Sequence, residues 1–236
     1  MAKMTEHTYR RFDAELEAIR NGVLQMGGLV ETQVENALAG LRAGDQALLD
    51  RVIEGDHRIN LIEVEIDQEC NQIIAKRQPA AIDLRFVLTV LKTIADLERI
   101  GDEAKKIAKA AKRLHSGDMP FVPRVELGYS AGLAIEMLHC ALDGFARADV
   151  SGAEAIARQD KEVDASFKGT MRQLITFMME DPRTISNSLE VLFIAKSIER
   201  IGDHAKNISE YVMYMVKGLD VRYAKSAAKV QAQKEG

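Results

Sequence analysis

Tryptophan is absent from this 236-residue chain, aromatics make up 5% of it, and there are four prolines and two cysteines. Each shortage excludes something. Cys70 and Cys140 stand alone on helical patterns with no CxxC spacing, which rules out a paired-thiol metal or redox motif and is read as two reduced, buried thiols in a cytosolic protein. No run of 18 or more apolar residues occurs, so no transmembrane segment is expected. The N-terminal Met1-Ala2-Lys3-Met4-Thr5-Glu6-His7 lacks the apolar region of a signal peptide. A basic excess is missing too: the net charge is −4 and the pI about 5.8, which argues against nucleic acid as the main partner. No glycine-rich phosphate loop and no nucleophile–base constellation appears, so catalysis has no visible support.

What is present is helical. Apolar residues reach 47% and charged residues 29%, and the commonest types are strong helix formers. The prolines mark the joints. Pro120 and Pro123 lie in a turn-rich break near the midpoint, and Pro79 and Pro182 interrupt one long pattern in each half. Between the joints the apolar period is near 3.6. It predicts helices over residues 5–43, 45–77, 82–115, 124–148, 151–180 and 183–217.

The halves are related. Residues 90–107 align without gaps on 191–208, and ten of the eighteen positions are identical. Within them Glu98-Arg99-Ile100-Gly101-Asp102 recurs as Glu199-Arg200-Ile201-Gly202-Asp203. Short loops favour antiparallel neighbours, so the expected fold is all-α, with two tandem, sequence-related three-helix bundles. The first spans 1–117 and the second 118–218, with a polar, mildly basic tail over 219–236.

The repeated pentapeptide is costly for a helix. Carboxylates at i and i+4 repel by about 0.2–0.5 kcal/mol, and the glycine costs about 1 kcal/mol relative to alanine. A helical wheel places Glu98 and Asp102 on the rim of the buried stripe, and Glu199 and Asp203 equivalently. Asp56, Asn60, Glu63 and Asp67 share one face of the second helix, and Asp160 and Asp164 lie at the matching place in the second half. Converging oxygen ligands without a necessary His or Cys suit a hard cation: iron, magnesium or manganese. The glycine would let a neighbouring helix or the metal come close. The competing structural reading is an ion pair, with Lys105 and Lys206 reaching Asp102 and Asp203 at i+3. His204 points about 100° off the acidic face and is read as a surface residue.

The two copies of this motif, in "ADLERIGDEAKKIAK" and "AKSIERIGDHAKNISEYV", together with "AKRQPAAIDLRFVL", strongly resemble the PhoU family of phosphate-transport regulators from about Tyr9 to Gly218. The resemblance implies a cytoplasmic accessory protein, not an enzyme, acting at the inner face of the membrane. Its partners would be the ATPase component of a phosphate ABC transporter and a membrane sensor histidine kinase, and it would form a homodimer. It would keep the phosphate-starvation response off when phosphate is plentiful. It also implies metal, iron above all, at Glu98, Asp102, Glu199 and Asp203, with Asp56, Asn60, Asp160 and Asp164 as partners. Asn60 departs from a carboxylate there and makes the first site the weaker of the two. Two rival readings stand beside this: a purely structural helical scaffold, and a carboxylate-bridged di-iron enzyme using Glu54-x-x-His57 and Glu136-x-x-His139.

Overall fold

A computed structural model describes residues 2–116 and 125–218, with side chains from residue 11 onward. The proline-containing segment 117–124 and the tail 219–236 lie outside the described residues. Six helices follow in order: α1 (Ala2–Ala43), α2 (Gln46–Arg77), α3 (Ala81–Ser116), α4 (Gly128–Arg147), α5 (Ala153–Glu180) and α6 (Ile185–Lys217), with a 3₁₀ turn at Pro182–Thr184. No strand occurs among the described residues.

Local chemistry sets the helix ends. The Asp45 carboxylate accepts the Leu48 N–H at 3.0 Å and opens α2. Gln78 closes α2 in the left-handed region at φ 49°, directly before Pro79. Three helices, α4, α5 and α6, start two or more residues later than the apolar period predicts. The Glu126 carboxylate takes the Gly128 N–H at 2.7 Å, and α4 begins at Gly128, not near 124. Asp149 accepts from both the N–H and the hydroxyl of Ser151, a local turn that defers α5 to Ala153. At Pro182 the chain restarts through the 3₁₀ turn, with Asp181 accepting the Arg183 N–H at 3.0 Å.

Helices α1–α3 and α4–α6 each pack as a three-helix bundle. The most extensive helix contact, however, is α3 against α6, across the two bundles, and α1 also meets α4. The buried apolar residues of both halves therefore form one continuous core. Phe86 of α3 stacks on Phe145 of α4 with centroids 6.2 Å apart. Lys92 of α3 lies over the rings of Tyr211 and Tyr214 of α6. The outer helices α2 and α5 each pair with their own bundle's central helix, and these two outer seams carry the acidic motifs.

Candidate functional site

In the first half, α3 presents Glu98 and Asp102 at the partly buried edge of its contact with α2. Asp56 of α2 lies deeper than the wheel suggests, at 2% exposure. One of its oxygens, Oδ2, accepts from Lys105 Nζ at 2.6 Å. The other, Oδ1, is buried with no hydrogen-bond partner, as is Oδ1 of Asn60 one turn later. Gly101 explains how α2 comes so close. A Cβ there would stand 3.1 Å from Ile59 Cδ1 and 3.9 Å from the free oxygen of Asp56. Burial pushes the Glu98 carboxyl above its usual range, and the charges of Asp102, Glu63 and Asp56 push it further. Glu63 is raised as well, by burial first and by Asp67 second.

The second half repeats the plan. Asp160 of α5 is 6% exposed and accepts from Lys206 Nζ at 2.5 Å through Oδ2. Asp203 is raised by burial and by the nearby charges of Glu199, Asp160 and Asp164. Burial works against the Lys206 ammonium, but the hydrogen bond and charge of Asp160 outweigh it and hold its pKa up. Glu199 differs from its counterpart Glu98, because Lys196 donates to both of its oxygens at 2.7 and 2.5 Å. Lys196 in turn lies over Phe167, which stands where the first half has Glu63.

The predicted carboxylates lie within electrostatic reach of one another in two groups, Asp56 with Glu98 and Asp102, and Asp160 and Asp164 with Glu199 and Asp203, while Asn60 shows only an unpartnered oxygen. Glu63 joins the first group. The expected i+3 pairs of Lys105 with Asp102 and Lys206 with Asp203 give way to bonds across the seam, because the buried aspartates of α2 and α5 need a cation more than the rim carboxylates do. In the first seam, oxygen donors, an unpartnered buried Asp56 oxygen and the space at Gly101 fit a hard cation in kind; in the second, Gly202 faces Met137 and Val163 instead. Among the described residues, no three His, Cys, Asp or Glu side chains are gathered to hold an ion as they stand. Each lysine takes up one carboxylate oxygen.

His204 is a correction. It is 8% exposed, and its Nδ1 lies 2.7 Å from Oδ1 of Asp96. It is buried because α6 packs on α3 as well as on α5. Nearby, Glu103 is 2% exposed and meets both Lys106 at 2.9 Å and Arg200 at 3.2 Å. Nothing in either helix alone marked this second polar seam. Of the thiols, Cys70 is buried and free, its pKa pushed up to about 12 by burial, whereas Cys140 is half-buried. The di-iron arrangement fails on geometry. Glu54 and His57 lie exposed on α2 and Glu136 and His139 exposed on α4, and these helices do not pack together. His139 instead pairs with Glu31 of α1 at 3.1 Å.

The PhoU domain model matches the chain twice, at residues 23–111 and 130–212. The chain belongs to the PhoU family. It is 50% identical to the phosphate-specific transport system accessory protein PhoU of Serratia marcescens over 222 residues, covering 93% of this chain and 90% of that one. With the protein of the same name from Escherichia coli it shares 49% identity, at 93% and 91% coverage. The crystal structure of PhoU from Pseudomonas aeruginosa superposes with a TM-score of 0.84 at 47% identity, covering 88% of this chain and all of the other. A PhoU regulatory protein of the phosphate transport system from Streptococcus pneumoniae superposes with a TM-score of 0.81 at 30% identity, at 88% and 98% coverage. The two PhoU matches each contain one acidic pentapeptide, which makes the motif a property of the repeat unit. Among the described residues no helix is long and apolar enough to cross a membrane.

Proposed function

We propose that this chain is an accessory protein of a phosphate transport system and a negative regulator of the phosphate-starvation response. In this reading it is an adaptor, not an enzyme. It works in the cytoplasm at the inner face of the membrane and contacts the transporter's ATPase component and a sensor histidine kinase. The observation that carries the reading is the near-half identity, along 93% of the chain, to relatives bearing that accessory role in their names. Deleting the gene and following a phosphate-responsive promoter tests it. Constitutive expression in phosphate-rich medium is expected, and unchanged regulation in both rich and starved medium overturns the assignment.

The acidic seams give the adaptor a cation-responsive element. Glu98, Asp102, Asp56 and Asn60 would hold a metal in the first half, and Glu199, Asp203, Asp160 and Asp164 in the second, with iron, magnesium or manganese as the hard cations such oxygens prefer. A bound cation would supply the positive charge that relieves the raised carboxylates. Support comes from the unpartnered Asp56 oxygen and from the mutual repulsion around Glu98 and Asp203. Elemental analysis of protein purified without chelator checks this. Metal above background that falls away in Glu98→Gln and Asp203→Asn is the expected result, and a metal-free wild type overturns it.

A further inference from the structure

The same lysine stands on the same aspartate in both halves. Lys105 crosses from α3 to α2 and donates to Asp56 at 2.6 Å; Lys206, its repeat equivalent, crosses from α6 to α5 and donates to Asp160 at 2.5 Å. Both aspartates are more than nine-tenths buried, where a carboxylate without a counter-charge is costly. The ammonium offsets that cost, yet incompletely. In the first seam Lys105 serves Asp56, Asp102 and Glu98, while the more exposed Arg99 lends charge to Glu98 and Glu63, and Asp56 Oδ1 and Asn60 Oδ1 remain without any donor. The unserved Asp56 oxygen lies against Gly101, where a side chain would otherwise fill the space.

An ammonium is a compact single charge on a flexible four-carbon stem. A divalent cation carries twice the charge and accepts six or more oxygen ligands, so it can serve the acceptors that the lysine leaves unmet. A divalent cation on one oxygen of an aspartate and an ammonium on the other repel each other at close range, which weakens the lysine's hold once the cation is in place. We infer that Lys105, and by repeat equivalence Lys206, is a tethered counter-ion that holds its seam in the cation-free state, and that a divalent cation binds by displacing it. The inference rests on the cation reading above and deepens it: the lysines set the concentration at which the seams load. Loading also returns an ammonium to solvent on the outer face of each bundle. Cation occupancy thereby changes the surface charge that a partner protein meets.

The full chain, stripped with EDTA and titrated with Mn²⁺, tests this by two readouts. Amine labelling of the wild type, read by mass spectrometry, is expected to show Lys105 and Lys206 protected without metal. On saturation both should lose that protection and approach the level of exposed Lys109, which stays constant. Lys105→Met and Lys206→Met are expected to bind Mn²⁺ about tenfold more tightly. If a Lys→Met variant fails to fold, the Lys105→Met/Asp56→Asn pair removes both charges, and the wild-type footprint decides alone. Suppose Mn²⁺ binds and is weakened by Glu98→Gln and Asp203→Asn, yet the footprint is flat and Lys→Met leaves affinity unchanged or lower. The lysines are then plain structural ion pairs and the inference falls while the cation reading stands. If neither wild type nor variants bind Mn²⁺, the cation reading itself fails and takes the inference with it.

Discussion

Nδ1 of His204 lies 2.7 Å from Oδ1 of Asp96, with Asp96 1% and His204 8% exposed in the contact between α3 and α6. In the other half of the repeat, the matching positions are Ser197 and Glu103, and Glu103 takes Arg200 and Lys106. The two bundles are therefore joined by buried polar contacts that the duplication did not copy. Removing the imidazole leaves Asp96 with Arg99 at 3.4 Å as its near cation. His204→Ala is expected to cost about 2–3 kcal/mol, as for a buried hydrogen bond to a charged group. In a double-mutant cycle with Asp96→Ala, urea unfolding should give a coupling of about 1 kcal/mol or more.

Glu98 and Asp203 set a pH dependence in the opposite sense to the usual stabilising carboxylate. Burial and neighbouring acids raise both above their ordinary values of 4.5 and 3.8. Just above those values the folded state holds more protons than the unfolded chain, so their contribution to stability falls as pH rises. Glu98→Gln and Asp203→Asn should each stabilise the EDTA-treated protein modestly near neutral pH, by less than about 1 kcal/mol, because solvent screens charges that are only partly buried. The gain should shrink towards about pH 4, where the wild-type groups are themselves protonated. Urea titrations across that range, comparing wild type with each variant, isolate the effect.

The contrast between these two sites shows what the sequence could reveal. The duplication, the six helices and the rim position of Glu98, Asp102, Glu199 and Asp203 were all legible, because periodicity and repetition are properties of one strand of residues. The depth of Asp56, the crossing of Lys105 to α2 and the burial of His204 were not. A wheel drawn for α6 assigns it one buried stripe, whereas α6 packs on α3, α4 and α5 and buries far more of its circumference. His204 sits in that extra arc. The identity of Lys105 with Lys206 within the aligned repeat was the available sign that these lysines matter, but it did not say which carboxylate they reach.

The two motif glycines are not equivalent, and alanine scanning should separate them. A Cβ at Gly202 would meet Met137 Cε at 3.5 Å and Val163 Cγ1 at 3.8 Å, ordinary contact distances. Gly202→Ala should therefore gain most of the helix-propensity difference of about 1 kcal/mol. At Gly101 the new methyl would stand 3.1 Å from Ile59 Cδ1, on a side chain 1% exposed with little room to yield. Gly101→Ala should gain nothing or lose stability by up to about 1 kcal/mol. Urea unfolding of both variants beside wild type makes the comparison.

The seams also differ in counter-charge, and this reverses the expectation that Asn60 makes the first site the weaker. The first seam gathers Asp56, Glu98 and Asp102 against the ammonium of Lys105, with Glu63 beside them and the largely exposed Arg99 lending a weaker, screened charge to Glu63 and Glu98. The second gathers Asp160, Asp164, Glu199 and Asp203 against Lys206 and also Lys196, which binds both oxygens of Glu199. Ala95 stands where Lys196 would be in the first half, so Glu98 has no equivalent clamp. A cation entering the second seam must contend with two ammonium groups, and the first seam should load at the lower concentration. In an Mn²⁺ titration of the chelator-stripped chain, Glu98→Gln should abolish the tighter phase and Glu199→Gln the weaker. Lys196→Met should bring the two phases together by strengthening the second about tenfold. A first phase that survives Glu98→Gln but disappears with Glu199→Gln would show that Asn60, not the count of lysines, sets the order.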